Sequence, residues 1–196
     1  MTDTIGEIHD FWFGELDAAG LCVTDRNELW FGANAQTDAT SRARFGPSLA
    51  LALDGQLDSW AQSDRGLVAL VVLLDQFPRN IHRGTAQAFA GDPQALALAR
   101  DAIDSGRHRQ LPAIHRVFIY LPLEHCEDLA VQARCVSLFE ELAALTGQPQ
   151  YASFLRYAVA HRDVIARFGR FPHRNALLGR HSTAAELAYL EEHGGF

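Results

Sequence analysis

Two similar turn sequences hold the side chains of this chain that are best suited to chemistry. They are LLDQFPRN at residues 73–80 and FGRFPHRN at residues 168–175, and each follows an apolar segment typical of a helix. Proline lacks a backbone N–H and disfavours helical geometry in the residue before it, so each turn is expected to break its helix. Arg79 and Arg174 would then lie on rigid corners, where a planar guanidinium can bind a carboxylate or phosphate through two hydrogen bonds.

These corners support two interpretations. In the first, the chain is a helical binding or adaptor domain whose polar pocket takes a small anionic molecule or an acidic peptide end. Its candidate ligand-binding residues are Asp75, Arg79, Asn80, Gln132, Arg170, His173, Arg174 and Asn175. In the second, the arginines pair with internal carboxylates such as Asp75, Glu124 or Glu127 and lock helices together. In both, the phenylalanines of the two turns anchor them in the core and the asparagines cap the helices that follow.

Two histidines suggest a third interpretation, an enzyme. If LPLEHCEDL at residues 121–129 continues as one helix, His125 and Gln132 share its apolar face, and His161 lies on the apolar face of the next helix. Buried polar side chains need partners, so these three are expected to converge on each other, on water or on a ligand. A hydrolase or proton-transfer enzyme would use His125 or His161 as general base, with Glu124 orienting the ring and the arginines holding a substrate anion. A histidine satisfied within the core is the plainer alternative.

Metal and covalent chemistry have weaker support. Glu124, His125 and Asp128 lie within one helical turn, and His161 or His173 would complete a metal site, but the spacing matches neither a repeated Glu-x-x-His pair nor HExxH. We therefore assign no metal and no cofactor. Adjacent residues of a helix point in different directions, so His125 would not reach the Cys126 thiol, and this cysteine is predicted to be a small core residue. No glycine-rich phosphate loop or dinucleotide fingerprint occurs in the sequence.

The composition narrows the classes of partner. The 196 residues include 17 basic and 24 acidic side chains, so the formal charge is −7, which disfavours nucleic acid and anionic membranes. Three cysteines without a CxxC spacing are typical of a reducing compartment, and we expect a soluble, cytoplasmic protein. The first residues lack a basic targeting region, and no apolar run approaches the ~18 residues of a membrane span. The oligomeric state stays open.

Local signals predict helices along the whole chain. The run GLVALVVLL at residues 66–74 is predicted to be a buried helix, because no second strand-like run exists to pair with it. Irregular connections are expected at residues 61–65 and 106–113. Capping boxes predict helix starts at Asp25 with Glu28 and at Ser182 and Thr183 with Glu186. A further helix is predicted to start at an Asp92 N-cap followed by Pro93 and to stop at Gly106. Another is predicted to start at Gln148 and Pro149 and to stop at Gly169. We predict one all-helical domain over residues 1–196.

Several longer boxes make the chain similar to a known family. They are FWFG from Phe11, WF at Trp30, RF at Arg44, LLDQFPRNIHRGTAQAFAGD from Leu73, RVFIYLPLEHCEDL from Arg116 and FGRFPHRNALLGRHST from Phe168. Together they resemble a largely bacterial domain-of-unknown-function family. The resemblance implies an irregular array of helical hairpins, a tetratricopeptide-like superhelix, although the ~34-residue repeat is not readable here. It supports a helical assignment for residues 66–74, and its serine in place of Cys126 weakens a nucleophile role. It implies no activity.

Overall fold

The chain folds into α-helices joined by short turns. The computed structural model describes residues 4–195, and within that range it contains no β-strand beyond an isolated bridge between Leu16 and Cys22. The predicted all-α class is therefore confirmed, whereas the tetratricopeptide-like superhelix stays a prediction. The helices are α1 Thr4–Trp12, α2 Asn27–Phe31, α3 Ala35–Leu53, α4 Asp64–Asp75, α5 Phe77–Ile81, α6 Asp92–Asp104, α7 Ala113–Glu124, α8 Leu129–Thr146, α9 Pro149–Phe168 and α10 Ala184–His193. No helix of the described part combines the length and the apolar character that a membrane span requires.

The chain forms two compact units. Among the described residues, the first unit holds 4–83 and 87–122, and the second holds 84–86 and 123–195. The helix α7 contributes residues to both units. The prediction of one domain over residues 1–196 is not tested by this division and stays a prediction.

The helix α4 forms the centre of the first unit. Every residue from Gly66 to Asp75 is buried, which confirms the predicted buried helix at 66–74. The helix starts early because the Ser63 hydroxyl accepts a hydrogen bond from the Gly66 N–H at 3.1 Å and caps it. The irregular connection predicted at residues 61–65 is therefore wrong: a 3-10 helix spans Asp58–Gln62, and α4 begins at Asp64.

The second unit is organised by α8 and α9, which pack against each other. The predicted boundaries of α9 are confirmed: Pro149 is in its first turn, and Gly169 ends it with a positive φ of 70°. This left-handed conformation suits glycine, which has no Cβ to clash. The final capping box is also confirmed, because Thr183 accepts from the Glu186 N–H while the Glu186 carboxylate accepts from the Thr183 N–H.

Three predicted boundaries are wrong. Asp25 accepts from the Asn27 N–H within a turn, and no capping box precedes α2. Asp92 is the first residue of α6 and not its N-cap, since its carboxylate binds Arg79. The segment 121–129 is not one helix: α7 ends at Glu124, and α8 begins after Asp128, whose carboxylate caps it by accepting from the Val131 N–H. In the connection predicted at 106–113, Arg107–Gln110 forms a 3-10 helix.

Candidate functional site

The first arginine corner lies between α4 and α5. The break falls at Gln76, and Phe77 is already helical, so the prediction that the proline forces its preceding residue out of helical geometry is wrong here. Pro78 instead occupies the first turn of α5, where a missing N–H costs no hydrogen bond. At the second corner, Phe171 is extended with φ −88° and ψ 108°, as the sequence predicts.

The Arg79 guanidinium is bound by two carboxylates of the first unit. It donates to both oxygens of Asp92, at 2.7 Å and 3.1 Å, and lies 3.5 Å from a carboxylate oxygen of the buried Asp75. Burial alone would lower the pKa of Arg79, but the two carboxylates together raise it above its ordinary value. An incoming anion would therefore have to displace Asp92 from two hydrogen bonds.

The two asparagines of the corners do not cap helices. Asn80 lies inside α5, and its buried Nδ2 has no hydrogen-bond partner among residues 4–195. Asn175 follows a 3-10 turn, where its side chain donates to the Ser182 hydroxyl at 3.0 Å and accepts from Arg180 Nε at 2.9 Å. The predicted capping roles are wrong: Asn80 lies within its helix rather than at the start of one, and the Asn175 side chain is bound to Ser182 and Arg180.

At the second corner, Glu127 joins Arg180 to the backbone. Its carboxylate accepts from Arg180 at 2.6 Å and 2.9 Å and from the Phe171 N–H at 2.8 Å. Burial would raise the pKa of Glu127, but these hydrogen bonds and the charges of Arg180 and Arg174 lower it below its ordinary value. The Arg174 guanidinium lies 4.6 Å from the Phe171 ring centroid. Arg180 was not predicted, because nothing in its local sequence distinguishes it from an exposed arginine.

Arg170 makes the same kind of contact nearby. Its guanidinium donates to both oxygens of Glu186, at 2.6 Å and 2.8 Å, and Glu186 is 2% exposed. The carboxylate that closes the final capping box therefore also binds this arginine. The ion-pair interpretation of the corners did not name Arg170 and Glu186 as a pair, and it stays a prediction.

Glu127→Gln should lower the free energy of unfolding by about 2 kcal/mol, as expected for a partly buried charge pair that loses one partner. The amide keeps the size of the side chain, but it leaves the Arg180 guanidinium without its carboxylate. Urea denaturation measures the change. Asp163→Asn is the matched control, because Asp163 pairs with Arg162 at 2.7 Å while its side chain is 62% exposed. If both substitutions cost the same small amount, the Glu127 contacts do not stabilise the fold.

The predicted histidine cluster lies in the second unit. His161 Nδ1 is 2.9 Å from the Tyr157 carbonyl oxygen and 3.3 Å from a Glu124 carboxylate oxygen. A carbonyl only accepts, so Nδ1 carries the proton of the neutral ring. Burial, and then the nearby His125, lowers the pKa of His161 to about 3. The ring centroid of His125 lies 6.3 Å from that of His161.

Gln132 acts as a clamp on the turn that follows α7. It is fully buried, and its Nε2 donates to the carbonyl oxygens of Glu124 and Cys126, the latter at 2.8 Å. The Glu124 carbonyl ends α7 and has no partner within the helix, and the Cys126 carbonyl lies in the turn beyond it, so this amide satisfies one acceptor at the helix end and one in the turn. Its own Oε1 is buried and accepts no hydrogen bond from residues 4–195.

A cavity of about 360 Å³ lies in the first unit, and sequence reasoning missed it entirely. It is partly open to solvent and is bounded by the end of α1 with the residues that follow it, the start of α4, and the start of α7 with the chain that precedes it. These segments are far apart in sequence and share no motif. The lining residues are His9, Asp10, Phe13, Gly14, Leu16, Asp64, Arg65, Gln110, Leu111, Pro112 and His115.

His115 is the most unusual side chain of this lining. It is 7% exposed, its Nε2 is buried, and no residue of the described range forms a hydrogen bond with its ring. The rings of Phe13 and His9 pack against it, with centroids 4.5 Å and 5.0 Å away. Burial lowers the pKa of His115 to about 3, helped by the charges of His9 and Arg65. The imidazole is therefore neutral near pH 7.

The comparisons with known proteins agree with the resemblance inferred from the sequence boxes. The model of a family described as bacterial protein of unknown function (DUF924) matches residues 8–194. The chain belongs to this family. The solved structure of a protein of unknown function, ATU0120 from Agrobacterium tumefaciens, is 39% identical, with a TM-score of 0.81, 96% of this chain covered and 97% of that one. The curated proteins include no match.

The predicted site residues of this DUF924 chain fall into two sets. The first unit holds Asp75, Arg79 and Asn80, and the second unit holds Glu124, His125, Gln132, Arg170, His173, Arg174 and Asn175 together with His161. Within the described residues, no group of three or more histidine, cysteine or carboxylate side chains is placed to hold a metal ion. The ligand-binding and catalytic roles of these residues stay predictions.

Proposed function

We propose that this DUF924 protein binds a small molecule in the cavity of its first unit. The observation that carries the proposal is the His115 ring, which is buried, lines the cavity and has no hydrogen-bond partner among the described residues. Buried polar groups normally have partners, and a molecule in the cavity can supply one to His115 if the ring turns to present a nitrogen, because Nε2 has almost no exposed surface in the present orientation. The volume of about 360 Å³ suits a compact ligand, since small-molecule sites span roughly 300–1,000 Å³.

The walls also have the composition of a binding site. Phe13, Leu16, Leu111 and Pro112 supply apolar surface, and a few polar groups lie among them. Binding sites for small molecules combine apolar walls with a small number of placed polar groups that fix the orientation of the ligand. The proposal keeps the helical binding domain expected from the sequence and moves its site away from the arginine corners.

The arginine corners have less support as a pocket for an anion. The guanidinium of Arg79 already binds Asp92, and that of Arg170 already binds Glu186, each through two hydrogen bonds. A ligand would gain only the difference between its own hydrogen bonds and those of the carboxylate that it displaces.

Proton transfer at His161 is a second candidate function. Its support is the orientation of the ring, since the Tyr157 carbonyl and the Glu124 carboxylate both face Nδ1. A base oriented in this way by a neighbouring acceptor is the arrangement that general-base catalysis uses, but a pKa of about 3 makes this ring a weak base at pH 7. The role requires a neutral ring near pH 7, and the titration of His161 described in the Discussion tests that requirement.

The cavity proposal is tested by blocking the cavity. Leu16→Trp adds bulk to its wall, and Leu51→Trp makes the same change at a side chain of α3 that is 41% exposed and outside the lining. A fragment library is screened by thermal unfolding on wild type and both variants. A fragment at 100 times its Kd should stabilise the wild type and Leu51→Trp by about 2.7 kcal/mol and lose this effect in Leu16→Trp.

His115→Phe gives an independent check, because it keeps the ring and removes the polar atoms. Fragments with hydrogen-bonding groups should bind this variant more weakly, and purely apolar fragments should not. The proposal is overturned if every fragment that stabilises the protein against unfolding stabilises Leu16→Trp as much as Leu51→Trp.

A further inference from the structure

The charged side chains of the cavity lining do not all have partners within the protein. Asp64 accepts from Arg107 Nε at 2.7 Å, so a guanidinium compensates its charge. Asp10 and Arg65 also line the cavity and are exposed, and within the described part of the chain neither forms an ion pair. Within the lining itself, one carboxylate and one guanidinium thus face solvent and can pair with an occupant.

The two imidazoles supply hydrogen bonds at the same place. The His9 Nε2 donates to the Arg65 carbonyl oxygen at 2.9 Å and so joins α1 to the first turn of α4. The His115 ring is neutral near pH 7, because burial holds its pKa at about 3. It can give or accept a hydrogen bond without adding a charge to those of Asp10 and Arg65.

Charge balance limits the kind of occupant that fits. A simple anion would pair with Arg65 but lie near the negative charge of Asp10. A simple cation would pair with Asp10 but lie near the positive charge of Arg65. Like charges at close range disfavour binding, and opposite charges favour it. An occupant with one positive and one negative group satisfies both side chains at once.

We infer, on the basis of the proposed function, that the ligand is a zwitterion of the free α-amino acid class with an apolar side chain. Its ammonium group pairs with Asp10 and its carboxylate with Arg65. Its side chain packs against the apolar wall formed by Phe13, Leu16 and Leu111. The His115 ring forms a hydrogen bond with one of the two polar ends.

The test compares each amino acid with derivatives that lack one charge. The probes are L-leucine and L-phenylalanine, their N-acetyl derivatives, which lack the ammonium, and their amides, which lack the carboxylate. Isothermal titration calorimetry on the full chain measures Kd for each. At least one free amino acid should bind about tenfold or more tightly than both of its derivatives, a difference of about 1.4 kcal/mol.

Variants that remove one charge from the cavity show which side chain pairs with the ammonium group of the ligand and which pairs with its carboxylate. Asp10→Asn should weaken the free amino acid and leave the N-acetyl derivative unchanged, because that derivative has no ammonium to lose a partner. Arg65→Gln should weaken the free amino acid and leave the amide unchanged. Asp54→Asn removes an exposed carboxylate outside the lining and should change none of these affinities.

The outcomes distinguish a wrong ligand class from a wrong binding site. If library fragments bind in a manner that Leu16→Trp abolishes, while neither amino acid binds better than its derivatives, the zwitterion is overturned and the cavity remains a binding site. Equal affinities in wild type, Asp10→Asn and Arg65→Gln would also overturn it. If neither fragments nor amino acids depend on Leu16, the proposed function and this inference both fail.

Discussion

Phe77→Ala is expected to lower the free energy of unfolding by about 3–5 kcal/mol, the cost of deleting a fully buried phenylalanine ring. Phe77 has no exposed surface, and its ring stacks on Phe45 at 4.7 Å between centroids and meets Trp12 edge-on at 5.3 Å. Truncation removes these contacts and leaves a void that the helices cannot fill without moving. The first arginine corner would lose its anchor. Urea denaturation followed by circular dichroism measures the loss.

Phe31→Ala is the matched control for this substitution. Phe31 is the last residue of α2, and 54% of it is exposed. Removing its ring should change the free energy of unfolding by about 0.5 kcal/mol, the range of surface substitutions. Comparable losses for the two variants would show that Phe77 is not an anchor.

Acidification from pH 7 to pH 5 should lower the free energy of unfolding by about 2 kcal/mol for each of His115 and His161. Burial lowers the pKa of each ring from 6.5 to about 3. The unfolded chain therefore takes up a proton below pH 6.5, whereas the folded chain stays neutral until about pH 3. Stability from these rings is present above pH 6.5 and is lost as the pH falls, by up to about 1.4 kcal/mol per pH unit for each ring.

Single substitutions separate the two contributions. His115→Gln and His161→Gln should each reduce the loss of stability between pH 7 and pH 5, and His181→Gln at an exposed histidine should not. This interval lies above the range in which Glu127 titrates, since its pKa is lowered. Nuclear magnetic resonance should show neither buried ring taking up a proton in the interval. A His161 ring that is charged at pH 7 would remove its proposed role as a proton acceptor.

The helices that sequence predicts best are those whose ends depend on neighbouring residues. The start of α9 at Pro149, its end before Gly169 and the capping box of Thr183 and Glu186 rest on backbone geometry and local hydrogen bonds. Boundaries fail where a side chain has a distant partner. Asp92 looks like an N-cap in sequence, but its carboxylate binds Arg79, and the helix extends to include it.

The candidate sites were less predictable, for the same physical reason. The sequence places arginines and carboxylates near the corners, but it does not reveal that Arg180 binds Glu127 or that Arg170 binds Glu186. The cavity could not be predicted at all. His9 and His115 lie far apart in the sequence of the first unit, and they line the same cavity only because the fold brings α1, α4 and α7 together. Neither histidine stands in a motif.

The most direct test of ligand binding is a crystal structure of the protein with the tightest-binding fragment or amino acid. We expect the molecule to lie in the cavity of the first unit, with one of its polar atoms about 2.7–3.2 Å from a ring nitrogen of His115. A ligand bound elsewhere, with water alone in the cavity at saturating ligand, would contradict the proposal.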